Sequence, residues 1–196
     1  QYECATQFFA PALLDYTVNG RIFNRRGNRD DRYAPHGVYK CLPEKRIYTG
    51  EGPSWCVIAV TTDDEWNALC EVMGRENIRD DPRFIDFEQR LSRTKELDFI
   101  IEEWTKTLTA HQAMIILQDA GIPSGAVQSQ SYLWQDEQLY HYNYFQWLEH
   151  TEAGPMPYDG PRFTLSKTPE GPNSAQSVIG EHNEFILKDM LGFSDD

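Results

Sequence analysis

No apolar run in these 196 residues approaches the ~18 that a membrane-spanning helix needs, so no such helix is expected. Basic charge is scarce: Lys and Arg number 18 against 31 Asp and Glu, a net charge of −13. A binder of duplex nucleic acid or of an anionic membrane needs a basic face, so both partner classes are disfavoured. The four cysteines, at 4, 41, 56 and 70, form no CxxC pair and have no histidine cluster beside them. That argues against zinc and leaves reduced thiols in a cytoplasmic protein as the expectation. Glycines form neither GxGxxG nor a Walker loop, and no GxSxG elbow is present. Ser, His and Asp occur without a motif that would order them as a triad. The N-terminal "QYECATQFFAPALLDY" lacks the basic residues of a secretory signal, and it does not begin with Met. The chain reads as a piece of something longer.

What is present suffices for a core: 40% of residues are hydrophobic and 13% aromatic. Residues 5–19 predict a helix, with Pro11 as a kink or first turn. "GVYKC" and "WCVIAV" predict strands. "KRIYT" reads as a further short strand, and Gly50, Gly52 and Pro53 as a wide turn. In "TTDDEWNALCEVMG", Thr62 and Glu65 make a capping box. Trp66, Leu69, Cys70 and Met73 share a face, and Gly74 ends the helix. Three helices are expected between 81 and 121, the first capped by Asp81 before Pro82. The second carries Leu97, Ile100, Ile101, Trp104 and Leu108, and the third starts at Thr109 with Gln112. "GIPSGAVQS" reads as extended, "SYLWQDEQLYHYN" as helical and "YFQWLEH" as a strand. Residues 151–172 read as a connector with a short strand at "RFTLS". "GEHNEFILKDMLG" predicts a helix of about three turns.

The pattern is a compact α+β unit over 36–150 between flanks that are not self-sufficient. Residues 1–20 offer a helix, 21–35 an Arg-rich linker, and 151–196 a return linker with a terminal helix. The linker holds Arg21, Arg25, Arg26, Arg29 and Arg32, a basic island in an acidic chain. It reads as a solvated linker, or as a segment in which one or two arginines meet a phosphate or carboxylate. His36 stands beside the junction of loop and first strand. The acidic pairs read as caps and surface, and the residues alone show no complete active site.

The motif order does carry a resemblance. "PALLDY", "RGNRD", "APHGVYKC", "WCVIAVTTDDEWNALCEVMG", "DDPRF", "RTKELDFIIEEWT", "LQDAGIPSGAV", "GPRFTLSKTP" and "IGEHNEFILKDMLG" together resemble the C-terminal half of a family III CoA-transferase. That superfamily includes the formyl-CoA and carnitine CoA-transferases and the α-methylacyl-CoA racemases. The resemblance implies a small α+β domain, flanks belonging to a Rossmann-like α/β large domain, and an interlocked homodimer. It implies transfer of CoA between an acyl-CoA thioester and a carboxylic acid through an aspartyl intermediate. Coenzyme A thioester is then a substrate and no cofactor is covalently bound. The catalytic aspartate falls in the half that is absent, so no catalytic residue is expected here and the chain alone is expected to be inactive.

"APHGVYKC" would enter the small domain near the substrate pocket, which makes His36, Gly37 and Tyr39 candidate substrate-binding residues. Arg29 is the candidate cation beside them. The glycine-rich loop of the formyl-CoA transferases is replaced by "GNRDDRYAPHG", so the resemblance does not by itself imply formyl and oxalate specificity. "LPEKRIYTGEGPS" reads as a modest insertion. The alternatives are an acyl-CoA racemase or isomerase of the same fold, and a non-catalytic dimerisation or binding domain.

Overall fold

The computed structural model of the chain describes residues 1–46, 50–161, 163–168 and 171–194. They divide into two units, Gln1–Val127 and Gln128–Asp196. The boundary falls inside the span 36–150 expected for the small domain.

The first unit opens with α1 (Tyr2–Phe8) and α2 (Ala10–Asn19), which meet at Phe9. Pro11 lies in the first turn of α2, where a missing N–H leaves no bond unmade. The helix expected over 5–19 is therefore broken in two. Neither helix buries a residue, and Phe8 is 83% exposed. Residues 20–35 form no helix or strand.

β1 (His36–Arg46) and β2 (Gly50–Ala59) pair antiparallel, with Tyr39 opposite Cys56 and Arg46 opposite Gly50. Gly50, Gly52 and Pro53 are thus strand residues rather than the expected turn. Of "KRIYT", Lys45 and Arg46 complete β1, and 47–49 lie outside the described residues. β1 is irregular between Cys41 and Glu44. Pro43 has no N–H to give, and Leu42 donates instead to the Leu108 carbonyl at 2.8 Å. Strand alternation puts Tyr39, Cys41, Cys56 and Ile58 on one face, and all four are buried. Val38 and Val57 on the opposite face are exposed.

Helices cover the buried face. α3 (Asp63–Val72) has the expected capping box: Glu65 N–H donates to Thr62 Oγ1 at 3.2 Å, and Thr62 N–H to Glu65 Oε2 at 3.2 Å. Gly74 closes it at φ +61°, a left-handed geometry that lets Arg75 N–H reach the Cys70 carbonyl at 2.8 Å. A single turn, α4 (Glu76–Arg79), follows. The next helix, α5 (Phe87–Ser92), begins later than expected. Asp81 accepts from Arg83 N–H at 2.9 Å and closes a turn, whereas Asp86 is the cap, accepting from Gln89 N–H at 2.8 Å.

α6 (Thr94–Thr105) packs on β1, and α7 (Ala110–Asp119) on β2. Leu97 and Ile101 of α6 and Ala113 and Leu117 of α7 fill the core with Trp66, Leu69 and Phe84. Each fully buried Leu or Ile contributes roughly 1.5–3 kcal/mol, so this helical layer holds the hairpin in place. β3 (Ser124–Ala126) joins β2 antiparallel and completes the order β1-β2-β3.

In the second unit, the aromatic segment forms two short helices, α8 (Gln130–Leu133) and α9 (Glu137–His141). β4 (Phe145–His150) pairs antiparallel with β5 (Gly154–Asp159), inside the stretch read as connector. Gly160 N–H donates to the Tyr144 carbonyl at 2.7 Å, so bonded pairs recur at every second residue. Pro155 and Pro157 fall between them, where no ladder N–H is needed. The described part of "RFTLS" forms no strand, and Arg162 lies outside the described residues. The terminal helix is one short π-helical segment, Phe185–Met190, rather than three α-helical turns. No described residue of this unit is fully buried.

Among the described residues, no helix is long and apolar enough to cross a membrane, and no group of three or more His, Cys, Asp or Glu could hold a metal ion.

Candidate functional site

The linker and β1 are joined by the stretch "RYAPHG". Arg90 of α5, only 3% exposed, reaches it from below. Its Nε donates to the Ala34 carbonyl at 3.2 Å, Nη1 to the Phe84 carbonyl at 3.3 Å, and Nη2 to Asp63 Oδ1 at 2.6 Å. Its guanidinium also lies 5.2 Å from the Trp66 ring centroid. Val60 N–H donates to the Pro35 carbonyl at 2.9 Å. The bend before β1 is thus fixed by a buried cation and by the end of β2.

His36 points back along the linker. Its Nδ1–H donates to the Asn28 carbonyl at 2.7 Å, and its ring stacks on Tyr33. Asn28 directly precedes Arg29 in the linker. Gly37 and Tyr39 lie on the other face of β1. A Cβ on Gly37 would stand 2.9 Å from the Tyr39 hydroxyl and 3.0 Å from Cζ, so the ring occupies the space that a side chain would need.

The Tyr39 hydroxyl donates to Asp98 Oδ1 of α6 at 2.9 Å. Burial pushes the Tyr39 phenol well above its ordinary range, and the charge of Asp98 pushes it further. Burial also raises the Asp98 carboxyl, while the Tyr39 hydrogen bond and the charge of Arg29 pull it back. Arg29 therefore sits within electrostatic reach of both.

Beside this network is a cleft of about 260 Å³, lined by Arg29 and by Ser92, Arg93, Lys95 and Glu96 from the α5–α6 junction. Glu96 is already held by Arg83. The rest of the basic island is largely spoken for: Arg21 pairs with Asp15, Arg26 with Asp31 and Arg32 with Asp30.

The structure thus brings Gly37, Tyr39 and Arg29 to one corner, and His36 braces that corner from the opposite face. Asp98, Arg90, Arg93 and Lys95 were not among the expected residues. Asp98 sits on the polar flank of an amphipathic helix, and Arg90 in a short polar turn. Neither position carries a sequence signal that separates it from a solvated charge. No activated thiol stands nearby: burial pushes Cys41 up to about 12 and Cys56 up to about 11. The corner thus combines a buried phenol–carboxylate hydrogen bond with the nearby charge of Arg29.

The sequence profile of CoA-transferase family III matches residues 1–183. The chain belongs to that family. It is 27% identical over its full length to a succinyl-CoA–D-citramalate CoA-transferase of Chloroflexus aurantiacus, covering 46% of that protein. It is 30% identical over 176 residues to a formyl-CoA:oxalate CoA-transferase of a Bradyrhizobium species, with 90% of this chain and 40% of that protein aligned. A CAIB/BAIF family protein from Brucella suis has the same fold. It matches with a TM-score of 0.78 at 19% identity, over 96% of this chain and 46% of that one. The chain spans less than half the length of these relatives.

Proposed function

We propose that this chain is the C-terminal portion of a CoA-transferase that moves coenzyme A between an acyl-CoA thioester and a carboxylic acid. The observation that carries the reading is the family match over 1–183, together with the names of the relatives. In this reading the nucleophilic aspartate lies in an N-terminal half. Its carboxylate attacks the acyl-CoA carbonyl, giving a mixed anhydride and free CoA thiolate. The thiolate attacks the aspartyl carbonyl, releasing the donor acid and leaving an aspartyl-CoA thioester. The acceptor carboxylate displaces that CoA to form a second anhydride, and the thiolate then takes the acceptor acyl group, freeing the aspartate.

Residues 1–20 would belong to or lead from the large domain. Residues 21–35 would link it to the small domain over 36–150, and 151–196 would return. Two surfaces support this. Helices α1 and α2 bury nothing, with Phe8, Leu14 and Val18 exposed. The terminal segment leaves Phe185, Met190, Leu191 and Phe193 exposed. Apolar patches of this kind mark surfaces that meet another part of a protein, here the large domain of an interlocked, cytoplasmic homodimer. His36, Gly37, Tyr39 and Arg29 would then form a wall of the substrate pocket.

The test is the intact mass of the protein as its source makes it, paired with activity. A mass near twice that of this chain, with CoA transfer present at full length and absent from residues 1–196 alone, is expected. Transfer by residues 1–196 alone, with no upstream half, would overturn the reading.

A further inference from the structure

The three cations of the cleft come from separate parts of the chain. Arg29 arrives on the linker, next to Asn28, whose carbonyl accepts from His36. Arg93 and Lys95 flank the start of α6. Among the described residues, none of the three is in an ion pair. Arg93 Nη1 donates to Gln89 Oε1 and to Ser92 Oγ, both at 3.2 Å, which fixes its guanidinium at the rim. The one carboxylate in the lining, Glu96, is engaged by Arg83. Asp98 lies within electrostatic reach of Arg29 and Asp81 within that of Arg93, but neither makes an ion pair with these cations. Like charges held together repel, and a bound anion relieves that repulsion.

We propose that the cleft between Arg29, Arg93 and Lys95 is a binding site for a phosphate group. Guanidinium forks and an ammonium are suited to the three acceptor oxygens of a phosphate. The size agrees. About 260 Å³ is smaller than a typical pocket for a whole small molecule, roughly 300–1,000 Å³, so the cleft takes a group rather than a whole nucleotide. The phosphate can belong to the CoA carrier itself or to a separate phosphorylated ligand. The inference does not depend on transfer chemistry, because binding is read without turnover.

The test is calorimetric titration of the full-length protein with pyrophosphate. Saturable binding is expected, weakened at least ~10-fold in an Arg93→Gln, Lys95→Gln double variant, the loss of charge-assisted hydrogen bonds. Lys40→Gln, an exposed change on β1 outside the cleft, leaves the affinity unchanged. Arg29→Gln repeats the loss from the other wall, so the result does not rest on one variant's folding. Titration with CoA and with 3′-dephospho-CoA separates the sources. If the double variant weakens CoA, the phosphate is the carrier's own: the 3′-phosphate if dephospho-CoA is unaffected, the diphosphate if dephospho-CoA falls equally. If the two variants' CoA affinities match the parent while pyrophosphate binding falls, it belongs to a separate ligand. Absence of saturable pyrophosphate binding, or equal affinity in the parent and the double variant, would overturn the proposal.

Discussion

The Tyr39 hydroxyl donates to Asp98 Oδ1 at 2.9 Å, tying the first strand to α6 across 59 positions of sequence. Tyr39→Phe removes the bond and leaves a half-buried carboxylate without its donor. A loss of about 1 kcal/mol in urea unfolding at neutral pH is expected. The pH dependence adds a signature. The Tyr39 phenol is raised in the folded state, whereas in the unfolded chain it ionises near ~10. Its contribution is present below that value and is lost as the pH rises above it, because the unfolded chain gives up the proton first. The variant should therefore lose less stability than the parent between about pH 8 and about pH 11. Parallel profiles in that range would contradict the assignment.

Gly37 has its own place in this contact. Gly37→Ala puts a Cβ against the buried Tyr39 ring, so roughly 1–3 kcal/mol of destabilisation is expected. Gly125→Ala, on β3 with nothing within 4 Å of its added Cβ, should be near neutral. Combined with Tyr39→Phe, Gly37→Ala should be non-additive, since both act on one contact. A double-mutant cycle in urea measures it.

Arg90 is predicted to hold the entry to β1. Arg90→Met leaves the Ala34 and Phe84 carbonyls without their donor and should cost about 2–3 kcal/mol in thermal or urea unfolding. Asp63→Asn touches the same guanidinium from an exposed position, 77% accessible, and should cost about 1 kcal/mol or less. Equal effects would mean that the ion pair, not the carbonyl contacts, carries the anchor.

The cysteines divide by access. Cys4 is exposed, while Cys41, Cys56 and Cys70 are buried. Burial pushes Cys70 up to about 12, as it does Cys41, which keeps both as thiols at neutral pH. Native labelling with a thiol reagent followed by mass spectrometry should modify Cys4 rapidly and the other three only on unfolding. Early modification of Cys41 or Cys56 would indicate that the hairpin opens.

Much of the first unit was legible because local chemistry and burial agree there. Thr62 with Glu65 and Thr109 with Gln112 cap helices whose apolar faces are the core. Errors fell where two signals compete. Asp81–Pro82 has the form of a helix start, but Asp81 closes a turn with Arg83, and Asp86 is the cap of the helix that buries Arg90. Gly50 and Gly52 look like a turn, yet the register of β1 carries them into β2. Pro155 and Pro157 hid β5, because a two-stranded ribbon leaves one edge free of ladder bonds. At the candidate site, His36, Gly37 and Tyr39 stand in a motif the sequence singles out. Asp98, Arg90, Arg93 and Lys95 were not, since only tertiary contact distinguishes them from ordinary surface charges.

The most direct measurement is isotope exchange by the full-length protein. Unlabelled acyl-CoA is incubated with its own carboxylic acid carrying a carbon label, and the thioester is then isolated. The account predicts label in the thioester, starting with the succinyl and formyl donors named for the relatives and extending to other acids. Exchange confined to the proton α to the thioester, with no carbon label incorporated, would contradict it and identify a racemase instead.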